Sequence, residues 1–364
     1  MWLEATRKSR IFATGRYDRA AMVMTSFQSV LAALAVFVRC SIVFLLLVAA
    51  PSTAEVLSDR DNGPLSGLFG LPNSTEGATL LDAGQNAFDV SVRTSSHSNV
   101  DMVGDEMLIF DGETTRLGVR FRRGVGERFE LGLVAEYVWH HSGTLDSLIE
   151  GWHGVFGLPD GDRLVRPEDA LEIRFADARG TQLVLDNNTH GIGDLRLIAG
   201  WRLASGADRD TALRFGIKLP TGDGEELLGS GGVDVSLGLA GEHRRLAGNQ
   251  KLTGFYRLDA VYLGEPDVLA DRHESFVGQA ASGLGYRVLP AIELLVQGKW
   301  RSAIYDSAVD SVGDDALTLT FGGNLRLTER WTMSLAITED LRVQSAPDVT
   351  FDLALRYRPG ERTE

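Results

Sequence analysis

The 364-residue chain has a single cysteine, Cys40, so residues 55–364 form no disulfide and offer no thiol chemistry. Cys40 follows Arg39 rather than small residues, which argues against a lipid-modified cysteine. After residue 54 no apolar run is long enough to cross a membrane as a helix. The chain also lacks a phosphate-cradling glycine loop, a Cys/His metal pattern and a hydrolase elbow, so no cofactor and no metal are expected. The glycines of 222–232 lie between two strand patterns, and a dinucleotide reading therefore has no helix to follow them. Positive charge is scarce as well. Lys and Arg number 36 against 50 Asp and Glu, for a net charge of −14. Residues 1–54 carry six basic and two acidic residues, so the remainder stands at −18 and is a poor partner for nucleic acid.

What is present begins with residues 1–54. An apolar core, Ile42–Val48, runs into Ala49-Ala50-Pro51-Ser52-Thr53-Ala54, where Ser52 and Ala54 form a small-residue cleavage pattern. This has the form of a secretory signal peptide with an upstream extension, implying Sec-type export. The positive region (Arg7, Lys8, Arg10, Arg16, Arg19) stands unusually far upstream, and initiation at Met22 or Met24 would shorten that distance. The alternative is a retained N-terminal anchor. Residues 55–85 read as an N-terminal periplasmic segment.

From residue 86 the chain divides into segments of about ten residues, apolar at every second position. Phe88, Val90 and Val92 alternate with Asp89, Ser91 and Arg93; Leu117, Val119 and Phe121 alternate with Gly118, Arg120 and Arg122. Phe129, Leu131, Leu133, Ala135, Tyr137 and Trp139 make one face of a third segment, followed by Leu195-Leu197-Ala199-Trp201 and Leu213-Phe215-Ile217. The pattern continues through 231–242, 251–263, 275–287, 290–302, 315–327, 330–340 and 347–358, giving twelve strands. That length suits a tilted strand crossing hydrocarbon, and the charged second face suits a wet lumen rather than a dry sandwich core. The expected fold is all-β: a membrane-spanning antiparallel up-and-down barrel over 86–358, with 359–364 as a tail. A soluble barrel or sandwich is the competing fold.

Connections and aromatics agree. Short turns at 123–126, 204–209, 289–290 and 328–329 alternate with longer connections at 96–113, 141–191, 219–231, 263–274, 302–314 and 341–348. This is the turn-and-loop asymmetry of outer-membrane barrels. Trp139, Tyr262, Phe276, Trp300 and Phe351 fall at the outer strand ends, and Phe129, Trp201, Tyr286, Trp331 and Tyr357 at the inner ends, as two girdles. Within the long extracellular loop 141–191, Leu145, Leu148, Ile149, Trp152 and Phe156 recur at helical spacing. A lid or plug, or a helix resting on the outer leaflet, is expected there, or else a loop packing its own apolar face over the mouth, followed by an extended pair at 171–176 and 181–185.

Inward positions supply the lumen or ligand candidates: Arg120, Glu136, Arg196, Arg214, Lys218, Asp234, Arg257 and Lys299, with Arg122, Glu130, Asp194, Asp259, Glu293 and Arg356 beside them. They either pair across strands and fill the bore or line a path for a polar solute. His140 and Ser142 share a strand face and make a weak catalytic candidate, since a base and a hydroxyl still need an orienting third group. Acidic loop tips (223–226, 265–271, 306–315) lack the tight spacing of a calcium loop and read as solvated.

Five stretches carry a resemblance: GPLSGLFGLP (63–72), LIEGWHGVFGLPDGDR (148–163), HGIGDLRL (190–197) with FGIKLPTGD (215–223), and ITEDLRVQSAPDVTF (337–351). Together they resemble an uncharacterised proteobacterial family of outer-membrane barrels known only as a domain of unknown function. The paired GIGD and K-x-PTGD elements are also similar to those of outer-membrane transporters of aromatic-compound degradation. The resemblance implies fold and location but no catalytic residues. One departure is the C-terminus, where Tyr357 is followed by seven further residues rather than ending the chain. As loop punctuation, the glycines of GIGD permit backbone forms closed to other residues, and PTGD stops and turns a strand. The leading functional expectation is a porin-like channel or transporter for a small polar or amphipathic solute. A structural envelope barrel with a plugged lumen is the alternative, and an outer-membrane lipid hydrolase using His140 and Ser142 the third reading. Outer-membrane lipids, lipopolysaccharide and, during insertion, the barrel-assembly machinery are the expected partners.

Overall fold

The structure, a computed structural model, describes residues 55–143, 170–341 and 346–358. The period-two segments form strands, because alternation matches the pleat and separates two chemically different faces. In chain order they are β1 (Asn86–Val103), β2 (Glu106–Val125), β3 (Phe129–His141), β4 (Glu172–Asp177), β5 (Gly180–Leu185), β6 (Thr189–Ile192), β7 (Leu195–Ser205) and β8 (Arg209–Leu219). Then follow β9 (Asp234–His243), β10 (Leu252–Tyr262), β11 (Phe276–Leu289), β12 (Ile292–Arg301), β13 (Ala316–Arg326), β14 (Trp331–Asp340) and β15 (Val349–Tyr357).

Each neighbouring pair is antiparallel, and β1 closes the sheet by pairing with both β2 and β15, Phe88 lying opposite Tyr357. Both β6 and β7 pair with β3 and count as one barrel strand, so the closed barrel has twelve. The expected fold and strand count hold. The connections 126–128, 206–208, 244–251, 290–291 and 327–330 gather at one end of the barrel, the turn end; the remaining ones between barrel strands, longer apart from the β1–β2 turn, mark the loop end.

The barrel is apolar outside and charged inside. Leu237, Leu258, Leu294, Leu335 and Leu353 are about half exposed on the outer face, while Arg257, Lys218 and Glu130 are sealed within. Water penalises such an exterior, and hydrocarbon does not. The girdle aromatics sit on this outer face at facing positions: Phe129 against Trp201, Tyr262 against Phe276, and Trp331 against Tyr357, with ring centroids 6.2, 5.4 and 5.2 Å apart.

Two expectations need correction. The 96–113 stretch is no loop: β1 and β2 run as one ladder to a two-residue turn at Gly104-Asp105. Beyond the apolar band this ladder has no lipid face, so its sequence loses the alternation that marks the barrel strands. The hairpin of β4 and β5, at the place expected for an extended pair, adds to its edge through Met107–Asp111. The second correction concerns residues 55–81, which lie inside the barrel among the inward side chains rather than outside its turn end. The helix expected over Leu148, Ile149, Trp152 and Phe156 falls outside the described residues.

Candidate functional site

The lumen wall is built by alternate positions of every strand. On β12, for example, Glu293, Gln297, Lys299 and Arg301 point inward while Leu294, Val296 and Trp300 point out. The N-terminal segment threads this space as a bent hairpin. Its backbone forms no ladder with the wall, so its N–H and C=O groups need side-chain partners.

The rising limb starts at Glu55, 3.4 Å from Arg356 at the turn end. Gln297 donates to the Leu57 carbonyl at 3.1 Å and Lys299 to the Asp59 carbonyl at 2.8 Å. Near the loop end, Asp61 pairs with Arg301 at 2.7 Å, and the Asn62 amide donates to Ser95 and to the Thr114 carbonyl.

The apex, Leu65–Leu71, turns through a short 3-10 helix, Ser66–Leu68. Leu65, Leu68, Phe69 and Leu71 are at most 2% exposed and pack with Leu108, Phe110, Ile173, Phe175, Val261 and Tyr305. The main apolar core of the molecule is therefore a cap at the loop end, shared between plug and loops. Burying four such side chains contributes about 2 kcal/mol each. Gly70 is required by contact, since a Cβ there would lie 2.9 Å from the Lys218 Cβ; one on Gly67 would lie 2.7 Å from the Arg116 guanidinium and displace it.

The descending limb returns along the opposite wall. The Gly70 N–H donates to Asp234 at 2.7 Å, Arg257 to the Asn73 carbonyl at 3.0 Å, and Arg214 to the Gly77 carbonyl at 2.6 Å. Glu76 pairs with Arg196 at 3.0 Å and Arg257 at 3.6 Å. Glu242 and Glu130 accept from the Ala78 and Leu81 N–H groups.

All eight lumen candidates thus hold the plug directly. Arg120 reaches Thr75, Lys218 the Leu68 carbonyl, and Glu136 the Arg60 guanidinium, while Arg196, Arg214, Asp234, Arg257 and Lys299 make the bonds given above; only part of their charge is met by other wall residues, such as Asp89 on the neighbouring strand for Arg120 and Asp259 two residues along β10 for Arg257. Sequence pattern identified the wall and missed the plug. The available signal was Gly-rich, non-periodic GPLSGLFGLP flanked by Asp, Asn and Glu, a composition suited to close backbone approach within a charged bore.

The GIGD and PTGD elements meet in space. The β6–β7 step at Gly193-Asp194 is a bulge in the wall: Tyr137 faces Ile192 while Val134 faces Arg196, so β7 has one residue too many. The Asp194 carboxylate then accepts backbone N–H bonds from Thr221, Gly222 and Ser230 at 2.8–3.0 Å. The Thr221 hydroxyl donates to the Gly193 carbonyl. The pair is a structural clasp for the 220–233 loop.

His140 is fully buried. Its Nε2 meets the Leu227 carbonyl at 2.9 Å and its Nδ1 the Thr114 hydroxyl at 2.9 Å. A carbonyl only accepts, so Nε2 carries the hydrogen and Nδ1 of the neutral ring accepts from Thr114. Neither nitrogen is left to take a proton from Ser142. Acidic loop residues likewise serve structure: Asp223 accepts from the Glu225 N–H, and Asp315 from the Trp300 indole. Among the described residues no group of three potential metal ligands converges.

No curated protein matches the chain. Among solved structures, it is similar to the COG4313 outer membrane channel from Pseudomonas putida F1, at 15% identity and a TM-score of 0.50, covering 78% of this chain and 98% of that one. The toluene transporter TodX of P. putida follows at 12% identity and TM-score 0.37, covering 82% and 95%. The Ralstonia pickettii toluene transporter TbuX gives 13% and 0.36, covering 82% and 98%. At these identities the first likeness is one of barrel fold. A family model described as Protein of unknown function (DUF3187) matches residues 40–359, nearly the whole chain, and the protein belongs to that family.

Proposed function

We propose that the protein is an outer-membrane channel for a small polar or amphipathic solute, held closed by its own N-terminal segment. The observation that carries this reading is the way the bore is filled. The plug is irregular backbone bonded mainly by side chains of a charged wall, and water can replace such bonds once the apex leaves its seat. A wall built only to be filled needs no such excess of charge, since apolar packing costs less than buried ions. The apolar exterior and twin girdles support insertion among outer-membrane lipids and lipopolysaccharide, after Sec-type export and with the barrel-assembly machinery. The fully occupied hydrogen bonding of His140 supports a non-enzymatic role.

The test is single-channel conductance in planar bilayers. The full chain should be silent or open rarely, and a variant lacking residues 56–80 but keeping the export signal should conduct steadily. One observation favours the structural alternative: the apex is locked into a dry cap. Absence of conductance from a deletion variant shown to be folded would leave that envelope barrel as the function. Retention of any lipase activity by Ser142→Ala would remove the hydrolase reading.

A further inference from the structure

Around Glu136 the lumen gathers more positive charge than its carboxylates answer. The guanidinium groups of Arg60 on the plug, Arg93 on β1 and Arg116 on β2 approach this one carboxylate at 3.4, 3.6 and 3.6 Å. Arg93 also has Asp352 at 3.1 Å, and Arg60 reaches the Leu71 carbonyl. Glu136 is the one carboxylate within ion-pair distance of Arg60 and Arg116 among the described residues. Arg196 stands next to them on β7, and its partner Glu76 is shared with Arg257.

The surplus shows atom by atom. Arg116 Nε and Nη2 and Arg196 Nη2 are buried without a hydrogen-bond acceptor among the described residues, and Arg60 Nε and Arg93 Nη1 have only Glu136, at 3.4 and 3.6 Å and short of hydrogen-bond geometry. All four side chains are more than nine-tenths buried. Buried charged donors seldom go unmet, because each forfeits hydration without recompense.

A cavity of about 60 Å³ lies between plug and wall at this point. Arg60, Arg93, Arg120, Arg196 and Arg356 line it, against Glu76, Asp89 and Glu136. Asp89 is taken up by Arg120 at 2.6 Å, and Arg356 is answered by Glu55. The under-satisfied donors on the cavity wall are therefore Arg196 Nη2, which has no acceptor, and Arg60 Nε and Arg93 Nη1, which share the one Glu136 carboxylate, with Ser58 and Thr75 hydroxyls beside them. A cation is repelled here, and a neutral solute leaves the charge unanswered. A planar or tetrahedral oxyanion matches several guanidinium forks at once.

The geometry points to a binding site for a small oxyanion, a carboxylate or inorganic phosphate, on Arg60, Arg93 and Arg196 beside Glu136. Glu136 acts there as a resident competitor, occupying part of the fork that the ligand would use. The site stands whether or not the barrel conducts.

The experiment is isothermal titration of the purified full-length barrel in detergent with sodium phosphate and, separately, sodium acetate, at constant ionic strength set by chloride. Saturable binding of either is expected, and which anion binds more tightly identifies the class. Glu136→Gln should tighten binding at least tenfold and Arg196→Gln weaken it at least tenfold. Neutralising two members of a merely structural network would not move affinity in opposite directions. Arg60→Gln, placed on the plug rather than in a strand, should also weaken binding tenfold and gives a readout should Glu136→Gln fail to fold. No saturable binding, affinities unmoved by Arg60→Gln and Arg196→Gln, or a crystal structure with water alone in the cavity at high phosphate and acetate would overturn the assignment.

Discussion

Asp194 and Lys218 form an ion pair of 2.7 Å, both side chains at most 5% exposed, at the point where the wall bulge meets the 220–233 loop. The carboxylate is shared with three loop N–H groups, and the ammonium with Asp234 at 3.2 Å and the Leu68 carbonyl of the plug apex. Bulge, loop and apex thus rest on one buried pair. Removing one partner leaves the other charge unpaired, at about 3–5 kcal/mol. Asp194→Ala should lower barrel stability by that amount in urea unfolding and expose the 220–233 loop to protease. Gly229→Ala should act in the same direction, because its Cβ would collide with the Asp194 carboxylate.

Seating of the apex can be read with a single thiol. Leu68 is 2% exposed, and no cysteine occurs after Cys40, so Leu68→Cys should resist a membrane-impermeant maleimide in the exported protein. Adding Gly70→Val forces a side chain against Lys218 and Asp234, whose Cβ atoms stand 2.9 and 3.2 Å from the nearest position open to it. Labelling should then rise at least tenfold. An unchanged rate would show that the apex tolerates the added volume and that its seat is not tight.

The barrel was legible because its two faces meet different solvents. Leu294, Val296 and Trp300 facing out, with Glu293, Gln297 and Lys299 facing in, write the strand into the sequence at period two. The plug was not legible, because Leu57, Asp59 and Asn73 are held through backbone carbonyls or short polar side chains by residues roughly 180–240 positions away, and no local period records such pairings. The lumen charges were found, but their partners were not. Arg196 and Arg257 are both answered by Glu76, in a segment without strand character. The outer ladder was hidden for a related reason: Ser95, Ser96 and Ser98 are covered on both sides, so burial leaves no alternation to detect.

At the loop end, Arg272 clamps the outer hairpin to the neighbouring loops. Its guanidinium donates to Glu106 at the β1–β2 tip and to Asp177 of β4, the latter at 2.8 Å. Asp177 is held below the ordinary carboxylate range by hydrogen bonds from Arg179 and then Arg272. Burial pushes Glu106 up, but bonds from Ser307, Arg272 and the Ala308 N–H bring it down overall. Both folded-state values lie below their unfolded ones of about 4. Their contribution is therefore complete above that pH and is lost as pH falls through the folded values. Hydrogen exchange of β4 and β5 should be flat from pH 7 to 5, after correction for intrinsic rates, and accelerate below about pH 4. Arg272→Gln should give the fast exchange at neutral pH.

Leu335 separates a membrane barrel from a soluble one most sharply. It lies midway along β14, 56% exposed, opposite Leu353 on β15 and Gly323 on β13. On a soluble barrel an exposed leucine replaced by arginine changes stability by about 0.5 kcal/mol or less. Facing the middle of a bilayer, the same arginine costs about 2–4 kcal/mol, because its charge must stay in hydrocarbon or draw water and headgroups to itself. Leu335→Arg should therefore lower stability by the larger amount in urea titrations of vesicle-inserted protein. Arg at an equally exposed position near a girdle, such as Leu289→Arg at the turn end of β11, should cost about 1 kcal/mol or less. Equal small effects at both positions would show that the apolar band faces something other than lipid, since only a hydrocarbon slab makes the penalty depend on depth.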